Sequence, residues 1–148
     1  MIKPRLKVFV DFDGTITLED VSEAIFRKFG DDEKVNQIIE DLLRDKISSR
    51  QCWDELCDSV NVVSKNELDK FIDLIDVDPT FLPFVKFCSD NELELVVLSD
   101  GFDYYIDRLF NKAGLTGIKY YSNKLFVNEK GILKAEYPYF DNDSPTSA

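Results

Sequence analysis

Two carboxylates one residue apart, Asp11 and Asp13, stand in the segment Asp11-Phe12-Asp13-Gly14-Thr15, directly after the apolar run Leu6 to Val10. Like charges this close are costly to ionise together unless a cation joins them. Oxygen-only ligation suits a hard cation such as Mg2+, so Asp11 and Asp13 are the candidate metal residues. An aspartate carboxylate is also a competent covalent nucleophile toward phosphorus, a role that suits Asp11. Asp13, set just beyond, is placed to protonate a leaving oxygen and later to activate water. In an extended strand the two acids would point the same way, with Phe12 turned into packing. Gly14 permits a turn that brings backbone amides to a phosphate. The chemistry expected of this segment is metal-assisted phosphoryl transfer.

A second loop has the matching property. The run Leu93 to Leu98 reads as a buried strand, and Ser99-Asp100-Gly101 as a tight turn at its end. The Ser99 hydroxyl would meet a non-bridging phosphate oxygen, and Gly101 would shape the phosphate-binding turn. The helix that follows adds positive potential at its start. Asp100 and Asp103 read as turn and cap residues. Glu19 and Arg50 are weaker substrate candidates, each equally readable as an exposed helix-end charge. An EF-hand is excluded, because the closing Glu and the full loop pattern are missing.

Both loops need a scaffold that brings them together. Residues 6–10 form a first strand. Thr17 or Asp20 would cap a helix through Val21, Ala24, Ile25 and Phe29 that ends near Gly30. Further amphipathic helices are expected over 33–44 (Val35, Ile38, Ile39, Leu42, Leu43), over 49–60, and from Ser64 to about Ile75, where Ser64-Lys65-Asn66-Glu67 has capping-box spacing. Short helices of this kind must pack on something to be stable, so 17–77 reads as a helical module inserted after the first strand. Asp78-Pro79 restarts a helix, with Asp as cap and Pro at the first position. A helix over 103–113 closes at Gly114, and 118–121 reads as a third strand. Residues 125–127 and 132–135 read as a hairpin, and the chain from Tyr137 as a loop. The pattern is an α/β fold with parallel core strands, whose ligands sit beyond the carboxyl ends of the strands. Both loops lie there.

Bulk properties narrow the partners. The 148 residues carry a formal charge of -11, which disfavours nucleic acid as a partner but leaves room for a small phosphorylated metabolite. No apolar run is long enough to cross a membrane, and the N-terminus does not read as a secretory signal. The absence of histidine rules out His-based catalysis and His metal sites. Cys52, Cys57 and Cys88 fit no zinc spacing and read as buried thiols of a reducing, cytoplasmic compartment. Trp53, Phe26 and Phe29, like Tyr104, Tyr105, Tyr120 and Tyr121, read as packing residues.

These motifs resemble the haloacid dehalogenase superfamily of phosphatases. Asp11-Phe-Asp-Gly-Thr15 is similar to its first motif and Val-Val-Leu-Ser99 to its second. The helical insertion occupies the place of the small cap of the phosphoserine phosphatase-like branch. Asp11 to Asp20, and Tyr121-Ser-Asn123-Lys-Leu125 before the Gly131 hairpin, particularly resemble the methionine-salvage phosphatases that act on a methylthio-ketopentenyl phosphate. The resemblance implies Asp11 as the nucleophile that forms an aspartyl-phosphate. It implies Asp13 as general acid and base and as an Mg2+ ligand through its backbone carbonyl. It implies Ser99 as a phosphate ligand, and a core of 1–16 plus 78–148 with a cap over 17–77. It further implies a third-motif Lys and a fourth-motif acidic pair after another buried strand. Neither is visible here: Lys134 lies in the hairpin, and Asp141 and Asp143 lie in a polar tail. The fourth strand would lie beside the first, so strand 6–10 is expected to be an open edge, prone to self-association. The expected function is an Mg2+-dependent phosphomonoesterase. The alternative is a truncated or inactive fragment that binds a partner or phosphate without turnover.

Overall fold

A computed structural model describes residues 5–140. The first strand, β1 (Lys7–Val10), is followed by four helices: α1 (Val21–Phe29), α2 (Asp32–Leu43), α3 (Ser49–Ser59) and α4 (Lys65–Ile72). Then come α5 (Phe81–Asp90), β2 (Glu94–Phe102), α6 (Asp103–Lys112), β3 (Lys119–Val127) and β4 (Leu133–Glu136). The sheet order is β1-β2-β3-β4. β1 and β3 pair in parallel with β2, and β4 pairs antiparallel with β3. This is the α/β architecture expected, an open sheet with a helical insertion after its first strand.

Side-chain oxygens fix the helix starts. Asp20, Asp31, Ser48 and Ser64 each accept from the amide three residues on, which satisfies a donor the helix leaves free. Thr17 caps nothing. Its hydroxyl donates to Glu19 O at 2.6 Å, and its backbone bridges Val77, which closes the neck of the insertion. Asp78 is not a cap either. It accepts from Thr80 N and Oγ1 in a turn, and α5 starts only at Phe81, with Pro83 in its first turn, where a missing N–H does no harm.

Two further expectations change. Residues 99–101 do not turn off the strand: β2 runs on to Phe102, with a register shift between Leu98 and Phe102. The third strand and the first arm of the hairpin are one continuous β3, whose early half pairs with β2 and whose late half pairs with β4. Leu43 is 78% exposed and leaves the α2 stripe.

A single apolar core joins the insertion to the sheet. Phe12, Ile16, Ile25, Phe26, Leu68 and Ile72 pack with Val97, Phe102, Ile106 and Leu109. Trp53 of α3 stands edge-on to Phe102 at 5.2 Å, and Phe29 meets Phe71, as packing residues. The three cysteines are free and buried, and burial pushes the thiols of Cys52 and Cys57 up to about 11 and about 12. No helix among the described residues is long and apolar enough to cross a membrane. Asp141 and Asp143 lie outside the described residues.

Candidate active site

Parallel pairing of β1 with β2 puts the residues after Val10 beside the end of β2. Asp11 and Asp13 lie in the loop beyond β1 rather than in an extended strand, so strand alternation does not set their directions. Phe12, wholly buried between Tyr105 and Phe110, anchors the loop from within. Asp11 is exposed, and its Oδ1 accepts from Phe12 N at 2.8 Å.

Asp13 turns toward the insertion. Its Oδ1 accepts from Val21 N at 2.9 Å and Ser22 N at 3.2 Å, the open amides at the start of α1. Its Oδ2 accepts from Tyr105 Oη at 2.7 Å and lies 3.5 Å from Ser99 Oγ. Burial is the largest influence and raises the carboxyl to about 6; the bonds from Tyr105, Ser22 and Val21 oppose it, and the charge of Asp20 adds to it. Ser99, from the far strand, thus meets the acidic loop as the two-loop reading requires.

The glycines do different work from that expected. Gly14 has φ +69, which glycine adopts freely, but its amide is already engaged by Thr17 Oγ1 at 3.1 Å and Glu19 O at 3.2 Å. The Gly101 amide donates to Ser99 Oγ at 2.9 Å. A Cβ on Gly101 would lie 1.7 Å from Tyr105 Oη and 2.5 Å from Asp13 Oδ2. The residue is therefore needed for space.

Glu19 joins the loop through its main-chain carbonyl, while its side chain is exposed. Arg50 is exposed, and its guanidinium stacks 3.9 Å over Phe140. The structure gives it no contact with Asp11, Asp13 or Ser99. Asp100 sits closer to the chemistry than a plain turn residue. Desolvation raises its carboxyl and the charge of Asp11 adds to this, while the Asn123 amide opposes it. Trp53 Nε1 is itself buried without a hydrogen-bond partner.

Tyr105 and Ser22 are the residues the sequence did not reveal. They lie 83 positions apart, with their hydroxyls 2.7 Å from each other, and no local pattern marks either. Oxygen donors around Asp11 and Asp13 have the right chemistry for a hard cation, but among the described residues no group of three acidic, His or Cys side chains converges on one point.

Residues 6–147 match the family described as "Putative Phosphatase". The chain is 32% identical over 135 residues to "Pdp3-interacting factor 1" of Schizosaccharomyces pombe, covering 87% of this chain and 58% of that protein. It is 30% identical over 120 residues to "2-hydroxy-3-keto-5-methylthiopentenyl-1-phosphate phosphatase" of Brevibacillus brevis, covering 80% and 54%. A structure of a phospho-aspartyl intermediate analogue of phosphoserine phosphatase superposes with a TM-score of 0.75 at 21% identity, over 90% of this chain and 64% of that one.

The fold is phosphoserine phosphatase-like, with the paired acids in the loop after its first strand. The chain belongs to the "Putative Phosphatase" family, and it spans 58% and 54% of the length of the two curated relatives named here.

Proposed function

We propose that this chain supplies the nucleophile and acid–base group of an Mg2+-dependent phosphomonoesterase acting on a small phosphorylated metabolite. The observation that carries the reading is Asp13 of the acidic loop, whose carboxyl burial raises to about 6 and whose Oδ2 lies 3.5 Å from Ser99 Oγ. A group with such a pKa serves as acid and as base near pH 7. An Asp11 carboxylate oxygen attacks phosphorus, and the bond to the ester oxygen breaks as Asp13 gives that oxygen its proton. Asp13 then takes a proton from water, whose oxygen attacks the aspartyl-phosphate and frees Asp11 and phosphate. Ser99 donates to a phosphoryl oxygen. Gly14 permits the turn after β1 and Gly101 leaves room beside Asp13, while the insertion over 17–77, which carries the exposed Glu19 and Arg50, acts as the cap for the organic part of the substrate. Asp11, through its carboxylate, and Asp13, through its main-chain carbonyl, would hold Mg2+, which would offset the charge gathered on the phosphoryl group. Two protein oxygens suffice for an ion that keeps several waters and binds with substrate phosphate. The sequence likeness to the Brevibacillus brevis enzyme favours a methylthio-ketopentenyl phosphate as substrate. The free buried thiols favour a cytoplasmic setting.

The test is phosphate release by the purified chain, with Mg2+ and a panel of small phosphomonoesters. Turnover abolished by Asp11→Asn supports the reading. No Asp11-dependent release overturns it for this chain.

One observation favours a second reading, a non-catalytic fragment that binds a partner. Among the described residues β1 is an edge strand, and the pairs Phe9↔Val96 and Leu98↔Tyr121 put Phe9, Leu98 and Tyr121 on one sheet face, all of them exposed. Slow exchange of the β1 amides in a monodisperse monomer would remove this alternative.

A further inference from the structure

The steps above leave one buried polar chain unused. Tyr105, in the first turn of α6, is fully buried. Its hydroxyl donates to Asp13 Oδ2 at 2.7 Å and lies 2.7 Å from Ser22 Oγ. A phenol has one proton to donate, so Ser22 donates to Tyr105 and Tyr105 to Asp13. The chain runs from the first turn of α1 to the acidic loop. Meanwhile the amides of Val21 and Ser22 hold the other oxygen of the same carboxyl. A carboxyl bound at both oxygens has lost its torsional freedom, and an acid must be fixed in orientation to give its proton at the right atom. Gly101 leaves the gap through which the phenol reaches. Core packing alone does not account for this arrangement, since Phe at position 105 would fill the same space without aiming a donor at an acid.

We propose that Tyr105 is a positioning residue: its hydroxyl, backed by Ser22, fixes the Asp13 carboxyl for proton transfer to the leaving oxygen. The inference rests on the acid–base reading of Asp13 given above.

The experiment compares two esters with Mg2+, an alkyl phosphate whose leaving oxygen needs a proton and p-nitrophenyl phosphate whose leaving oxygen does not. In Tyr105→Phe, kcat/KM for the alkyl ester is expected to fall at least about tenfold, a part of what general acid catalysis contributes. The aryl ester is expected to change little, and Ser22→Ala to show a smaller loss of the same kind. Equal losses on both esters, or no loss on either, overturn the proposal, because a packing defect does not distinguish leaving groups. A second readout needs no turnover: the proton NMR signal of the Tyr105 hydroxyl. It is expected to be slowly exchanging and downfield, to move in Asp13→Asn and to vanish in Tyr105→Phe. An unprotected hydroxyl overturns the positioning role even in an active enzyme. A protected hydroxyl with no Asp11-dependent turnover leaves the positioning geometry standing and overturns the catalytic reading instead.

Discussion

Arg108 and Asp73 form a two-point ion pair, Nε to Oδ1 at 2.7 Å and Nη2 to Oδ2 at 2.8 Å. It joins α6, which follows the strand bearing Ser99, to the end of α4 in the insertion. Lys112 donates to the carbonyls of Asp73 and Ile75, and Tyr104 donates to Asp69 at 2.6 Å. Two cations of α6 thus sit at the carboxyl end of α4, where the helix leaves carbonyls open and its dipole favours positive charge. The Arg108 bond, above all, holds the Asp73 carboxyl below its usual range.

Arg108→Ala is expected to loosen the insertion more than to unfold the protein. Both partners are more than a third exposed, so solvent and salt screen the pair and global stability should fall by only about 1 kcal/mol. Hydrogen exchange at the α4 amides should quicken selectively, and added salt should quicken it in the unsubstituted protein too. Unchanged α4 protection would show that apolar packing alone holds the helix.

Gly101→Ala should be among the most damaging small substitutions in the molecule. Its Cβ meets Tyr105 Oη and Asp13 Oδ2 at impossible distances, and overpacking of this kind costs about 1–3 kcal/mol or more. Removing the nearest obstacle with Tyr105→Phe should recover part of the loss. Urea unfolding of the two single variants and the double variant measures the coupling, and simple additivity would contradict the geometry.

Asp13 gives stability a specific pH dependence. Burial raises its carboxyl from 3.8 to about 6, so the folded protein holds this proton more tightly than the unfolded chain does. The associated stability is complete below the unfolded value and is lost as pH rises through the folded one. At neutral pH the loss approaches about 3 kcal/mol. Asp13→Asn keeps an oxygen for Val21 and Ser22 but has no charge to bury. In EDTA it should match the unsubstituted protein near about pH 4 and exceed its Tm increasingly toward about pH 7. Parallel curves across that range would rule this account out.

The exposed apolar side chains near the sheet edge predict behaviour in solution. Phe9 is 60% exposed on β1, which is an edge strand among the described residues. The chain is expected to self-associate with rising concentration, and Phe9→Lys to suppress this with little change in stability, as charged residues on edge strands do. Sedimentation at several concentrations decides it: a monomer throughout, before any substitution, counts against the edge as an association surface.

Much of the fold was legible because its signals are local. Asp20 and Ser64 are small oxygen-bearing residues placed just before apolar periodicity, and they cap as expected. Val96 and Val97 lie in an apolar run that forms an interior parallel strand. The misreadings occurred where distant partners outweighed local preference. Ser99-Asp100-Gly101 has turn composition, yet Asn123 on β3 donates to Asp100 O at 2.8 Å and holds the segment in the sheet. Asp78 has a cap-like neighbour in Pro79, yet its carboxylate found Thr80 first.

The sequence by itself determined the chemistry within reach: paired acids after a strand, a serine after another, no histidine, and an α/β order that brings both loops to one sheet edge. Strand direction and residue spacing suffice for that, since they act over a few residues. Only the tertiary structure decided which way Asp13 faces, why position 101 must lack a side chain, and that Tyr105 and Ser22 belong to the site. Those facts depend on hydrogen bonds and excluded volume between residues 83 to 92 positions apart, and such contacts exist only once the core has closed around Phe12 and Phe102.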